Sequence, residues 1–178
     1  MRVELRRAAT EDIPALERLI ARSARALAAR DYPAEQIEAA LTGAWGVDTQ
    51  LIEDGTYLVG VAGSELVVCG GWSRRATPFG GDAYVEREAR LLDPSRERAR
   101  IRAFFVHPEW ARQGLATRVL RICEAEARDA GFGATELVAT RSGVPFYLRH
   151  GYVAQARVTA PLRDGLSIEF VSMQRTLA

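Results

Sequence analysis

Cysteine and histidine are scarce in this chain of 178 residues, and their scarcity removes several classes of protein at once. Cys69 and Cys123 stand far apart in apolar surroundings, which excludes a disulfide-stapled scaffold and reads as two buried structural thiols. With His107 and His150 the only histidines, the four clustered ligands of a zinc site are not available, so no metal site is expected. The apolar runs fall well short of the roughly 20 residues of a membrane helix, and "MRVELRRAAT" lacks an apolar signal-peptide core; a reducing cytoplasm is the expected compartment, with no membrane partner. Nor is there an excess of one charge. Lys and Arg number 24 against 23 Asp and Glu, so no broad field to gather nucleic acid is expected. The phosphate-loop pattern G-x-x-x-x-G-K-[ST] is absent. "GFGATE" from Gly131 lacks the third glycine of a dinucleotide fingerprint and precedes a strand rather than a helix.

What is present is a globular composition, 48% hydrophobic and 26% charged, without internal repeats or low-complexity linkers. One domain over residues 1–178 is expected. "RVELRRA" reads as a first strand. Thr10 stands where a helix cap would, ahead of Ile13, Leu16, Leu19, Ile20 and Leu27 at helical spacing, with Pro14 tolerated in the first turn. A second helix is expected over "DYPAEQIEAALTGAW". "TYLVGVAG" and "ELVVCGGW" read as two strands joined by a hairpin at Gly63-Ser64. Residues 74–98 mix charges with Pro78, Gly80-Gly81 and "LLDPS" and read as a long loop insert. "ARIRAFFV" resumes as a strand, followed by an amphipathic helix ending near Gly131 or Gly133, a strand "ATELVAT", a short helix "GVPFYLRH", and strands "YVAQARV" and "GLSIEFVSMQRTL". The expected order is β-α-α-β-β-β-α-β-α-β-β, an α/β (mixed α+β) fold with a central sheet flanked by helices.

One junction bears on chemistry. In "FFVHPEWARQGLATRVL" an apolar strand ends at Pro108, and a helix starts at Gly114 with no Ser, Thr, Asp or Asn immediately before it. The first turn of a helix holds backbone N–H groups without internal partners and carries partial positive charge. Left uncapped, those groups take water or an anion. Gly114 and the small Ala116 allow close approach, and Arg112 adds a positive charge, so "ARQGLA" fits a pyrophosphate cradle of main-chain donors. A turn glycine beside a solvated arginine fits the same residues.

Strand, "VHPEWARQGLA" and amphipathic helix together resemble the acetyl-CoA signature Q/R-x-x-G-x-G/A of the GNAT (Gcn5-related) N-acetyltransferases. The stretch from Leu5 to Leu16 resembles that family's opening strand and helix, and "VPFYLRHGYV" its later helix–strand element. The resemblance runs the length of the chain in order, apart from the insert. It departs from the pattern at Ala111, which replaces the first Gln or Arg; because main-chain donors do most of the gripping, weaker binding is expected, not its loss.

The resemblance implies a central mixed, mostly antiparallel sheet and acetyl transfer from acetyl-CoA to an amine, directly within a ternary complex. It implies cofactor contacts at Phe104, Phe105 and Val106 along the strand and at Ala111, Arg112, Gln113, Gly114, Leu115, Ala116 and Thr117 in the cradle. A backbone N–H near Val106 would face the oxyanion, and Tyr147 would return a proton to the departing thiolate. A packed aromatic is the other reading of Tyr147. Where some members carry a basic Glu this chain has Arg100, and no base is assigned: Glu169, Asp82 and Glu86 also read as surface carboxylates, His107 as a surface residue, and His150 as a helix-end charge partner. Trp110 reads as packing the hinge; Trp72, Arg74 and Arg75 stay open between acceptor contacts and a solvated pair. A non-catalytic acyl-CoA sensor and a nucleotide-phosphate binder are the rival readings. The partner is a small-molecule or protein amine, and a homodimer is among the assemblies left open.

Overall fold

Val59, Val61, Val67 and Val68 belong to the two β-rich runs split by Gly63-Ser64, and in the computed structural model, which describes residues 2–178, those runs form the expected hairpin, with Ala62 opposite Glu65. It is the centre of one half of a seven-stranded sheet ordered β1-β2-β3-β4-β5-β7-β6. The strands are β1 (Glu4–Arg7), β2 (Tyr57–Ala62), β3 (Glu65–Ser73), β4 (Ala99–Val106), β5 (Ala134–Ala139), β6 (Val153–Pro161) and β7 (Ser167–Thr176). Every adjacent pair is antiparallel except β4 with β5. The mixed, mostly antiparallel sheet with flanking helices is the fold the sequence points to.

Five helices cover the two faces: α1 (Ile13–Leu27), α2 (Ala34–Ala40), α3 (Thr49–Glu53), α4 (Leu115–Asp129) and α5 (Val144–Arg149). On one face Leu16, Leu19 and Ile20 of α1 pack with Ile37, Leu51 and Tyr57. On the other, Leu115, Val119, Leu120 and Cys123 of α4 pack with Val67, Tyr147 and Tyr152. The spacing of α1 and α4 therefore does what a buried stripe must: it sets which side of each helix meets the sheet.

Three local expectations are corrected. Thr10 does not cap α1; residues Thr10–Asp12 form a 3-10 turn, and the Asp12 carboxylate accepts from the Ala9 N–H at 2.8 Å while pairing with Arg6. The second helix is shorter than its sequence span, stopping at Ala40. The short helix α3 is an addition to the expected order; its five residues are too few for periodicity to reveal.

Two features of β4 shape the region around it. Arg102 lies opposite Gly71 and Phe105 opposite Cys69, so β4 carries one residue more than β3 here, and Ala103 absorbs it in the left-handed region at φ 57°. Gly70 accommodates the result: a Cβ there would stand 2.7 Å from the Phe104 ring. Beyond the bulge β4 parts from β5. Their pairing is confined to Ala99 with Thr135 and Arg100 with Glu136, leaving a wedge between the two strands.

Residues 74–98 are held in place without a regular element. Arg75 bridges to Leu91, the Thr77 N–H donates to the Glu88 carbonyl, and the Thr77 hydroxyl both donates to that carbonyl and accepts from the Glu88 N–H. The tip docks on the α2–α3 connection through Gly81 N–H to the Gly43 carbonyl and Asp82 N–H to the Val47 carbonyl. Among the described residues no helix is long and apolar enough to cross a membrane.

Candidate active site

The wedge between β4 and β5 opens into a cleft of about 1070 Å3. Phe104, Phe105 and Val106 line it from β4, Ala111, Arg112, Gly114, Leu115, Ala116 and Thr117 from the turn into α4, and Tyr147 from α5. Of the cofactor-contact residues and Tyr147 expected from the sequence, Gln113 alone stays outside the lining among the described residues; its side chain donates to the Glu109 carbonyl at 3.1 Å.

Backbone geometry explains why the turn ends in glycine. Arg112 and Gly114 both adopt left-handed torsions, φ 64° and 78°, and Gly114 is the residue that precedes the first turn of α4. A Cβ at Gly114 would meet no protein atom within 4 Å, so the constraint is conformational and the space is open. None of the backbone amides from Arg112 to Thr117 donates to another protein group among the described residues. The cleft thus meets a row of unengaged donors at the positive end of a 15-residue helix.

The Val106 N–H donates to Ser23 Oγ at 3.2 Å, so that amide is engaged, and Ser23 lines the cleft beside it. Ser23 is a residue the sequence reading missed. The available signal was a serine on the buried stripe of α1, one turn after Leu19 and Ile20.

Tyr147 is 8% exposed and stacks edge-on against Phe104, Phe146 and Tyr152 at ring separations of 6.4, 5.0 and 5.5 Å. Burial, and secondarily the Cys123 thiol, push its pKa well above the ordinary tyrosine value, so it remains a protonated phenol. Its hydroxyl makes no hydrogen bond to another protein group among the described residues, leaving that proton available to the cleft.

The histidines are placed differently from expectation. His107 is buried at 1% exposure, with Nδ1 accepting from the Glu109 N–H; it is not a surface residue. His150 lies 3.0 Å from Thr117 Oγ1 and against the Phe146 ring. Burial lowers its pKa, so a neutral imidazole replaces the expected charge partner. The carboxylates considered as bases lie elsewhere. Asp82 accepts from the Thr49 N–H at the start of α3, Glu169 meets Arg141 at 3.1 Å, and Glu86 is exposed on the insert. Arg100 pairs across the strands with Glu136.

Trp110 packs against the α4-side core, as expected of a hinge residue. Trp72 is buried, donates to Glu126 Oε2 at 2.8 Å and carries the Arg74 guanidinium over its ring; Arg75 clamps Asp54. None of these three lines the cleft. The cleft's charged lining is dominated by arginine: Arg30, Arg102, Arg112, Arg141 and Arg149 against the single carboxylate of Asp31.

Residues 91–177 match the family model of the acetyltransferase (GNAT) domain. Comparison with curated proteins gives no match. Among solved structures, the chain is similar to a GCN5-related N-acetyltransferase from Rhodopseudomonas palustris, with a TM-score of 0.74, 20% identity, and coverage of 99% of this chain and 97% of that one. It is also similar to PaiA N-acetyltransferase from Thermoplasma acidophilum in complex with coenzyme A, at a TM-score of 0.63 and 14% identity, covering 99% of each chain. A third similar structure is YncA from Salmonella typhimurium with its cofactor acetyl-CoA, at a TM-score of 0.62 and 16% identity, covering 100% of this chain and 95% of that one.

Proposed function

Because residues 91–177 match the acetyltransferase (GNAT) domain, we propose that the chain transfers an acetyl group from acetyl-CoA to an amine, directly and without a covalent enzyme intermediate. The observation that carries the reading is the row of unengaged amides from Arg112 to Thr117 at the mouth of α4, opening into the same cleft as Tyr147 and the unpaired side of β4.

In this reading the α4 entrance grips the diphosphate of coenzyme A through main-chain donors, with Arg112 and Arg149 adding charge. The unpartnered side of β4 at Phe104–Val106 aligns the pantetheine arm. The amine nitrogen attacks the thioester carbonyl, and the oxyanion that forms takes a hydrogen bond from the Ser23 hydroxyl, itself oriented by the Val106 N–H. As the C–S bond breaks, Tyr147 gives its proton to the thiolate; the proton lost by the amine passes to solvent, and solvent returns a proton to the tyrosinate. A buried phenol is a weaker acid than a free one, but the same desolvation strengthens the departing thiolate as a base, which preserves the match. Both cysteines are free and deeply buried, and burial pushes the Cys69 thiol up to about 12, so neither is a ready nucleophile. Free thiols also fit the cytoplasm as the working compartment.

Calorimetry with acetyl-CoA followed by a thiol-release assay over an amine panel tests the reading. The expected outcome is micromolar binding and amine-dependent release of coenzyme A. Binding without release on any amine would instead support the sensor, and equal affinity for ATP a general phosphate binder.

A further inference from the structure

The α4 end of the cleft accounts for the acetyl donor; the opposite end has a different chemistry. There Trp45, Phe79 and Phe170 line the wall, with Phe79 5.5 Å and Trp45 6.3 Å from the Phe170 ring. Arg102 of β4 lines the same cleft and is 4% exposed. Its Nη2 donates to the Gly80 carbonyl at 2.7 Å and lies 2.6 Å from Asp48 Oδ2. Asp48 is fully buried and meets Arg87 through its other oxygen, Oδ1, at 2.9 Å, so one carboxylate balances two guanidinium charges. Arg102 Nε and Nη1 are buried with no partner among the described residues. Buried donors of a charged fork are rarely left unmet, because each costs its desolvation without return. A planar anion is the group whose geometry suits that fork.

From this cluster we infer that the acceptor is a small amino carboxylate with an apolar or aromatic side chain, its carboxylate drawn to Arg102 and its side chain laid against Trp45, Phe79 and Phe170. The inference rests on the acetyl-transfer reading for the identity of the reaction, and on the Arg102 end of the cleft for the identity of the substrate. Polycationic acceptors fit poorly: exposed Arg30 and Arg141 line the approach, and Asp31 is the one carboxylate there to receive a second positive charge. The excess of arginine also favours the unprotonated amine that attack requires, in a cleft where no candidate base faces the thioester.

The wild-type protein decides the matter in a thiol-release assay with phenylalanine, leucine, phenylalaninamide, phenethylamine and spermidine. The two amino acids should show kcat/KM at least about 100-fold above the amide, the decarboxylated amine and the polyamine, because those leave the fork unmet. Equal or better turnover of any carboxylate-free amine overturns the inference while leaving acetyl transfer intact. Binding of N-acetylphenylalanine against N-acetylphenylalaninamide, followed by thermal shift, is read without turnover. Protection by the acid alone upholds the carboxylate site at Arg102 independently of turnover, and equal protection by both overturns the inference. Arg102→Lys keeps the buried charge but loses the fork; it should raise KM for phenylalanine about tenfold with KM for acetyl-CoA unchanged.

Discussion

Tyr147 shows how much one side chain's meaning depends on what surrounds it. A tyrosine at the fourth position of "VPFYLRH" is an ordinary packing residue by sequence. In the fold it is buried among three aromatic rings, is held protonated by desolvation, and keeps an unengaged hydroxyl on a cleft. Tyr147→Phe removes that proton and nothing of the ring packing. It should lower kcat by about 100-fold while KM for acetyl-CoA changes less than about twofold. Steady-state kinetics on the purified variant checks this, and undiminished kcat would return Tyr147 to a packing role. Ser23 makes the complementary point: its hydroxyl, on an otherwise apolar stripe, accepts from the Val106 amide in the region where the sequence led us to expect an oxyanion donor.

At the scale of elements, the turn from β4 into α4 is built around two left-handed residues, and only one is glycine. Arg112 adopts its torsion against the usual preference of a side-chain-bearing residue, which costs about 1 kcal/mol or more and is tolerated where the geometry is useful. Gly114→Ala adds a similar backbone cost and puts a methyl group where the chain leaves open space. A drop of a few degrees in melting temperature and a loss of coenzyme A affinity of about tenfold or more are expected, the first read by calorimetric scanning and the second by titration. Unchanged affinity in a variant that melts earlier would mean that the turn serves only the fold. The insert over 74–98 is an element of another kind. Its hydrogen bonds run to its own other arm and to the α2–α3 connection, so its shape is decided by contacts remote in sequence.

Across the whole molecule, burial of ionisable apolar-leaning groups sets the alkaline limit. Burial raises the pKa of Cys69, Cys123, Tyr57, Tyr147 and Tyr152, with Cys69 reaching about 12. Each is protonated when folded and ionises more readily when unfolded, at about 8.5 for the thiols and 10 for the phenols. The unfolded state therefore holds fewer protons above those values. The contribution of these five groups should be level between about pH 7 and 8.5 and fall as pH rises toward 12, by about 1.4 kcal/mol per pH unit for each group passed. Urea midpoints across that range test the sign, and a flat profile would show that these groups reach solvent in the native state.

The chain's own pattern determined the run of strands and long helices, because apolar residues at spacings of two and near 3.6 leave little choice about which face is buried. It also determined the uncapped helix start, since Gly114 and the missing cap are local facts. Helix α3 escaped because five residues hold no period, and His107 because burial beside a proline has no local mark. Tertiary structure alone decided the rest. The parting of β4 from β5 and the bulge at Ala103 depend on register between strands. So do the meeting of Asp48 with Arg87 and Arg102, and the placement of Ser23 under the Val106 amide. Local propensity specifies which way a residue faces along its own element; which distant residue it faces is an outcome of packing.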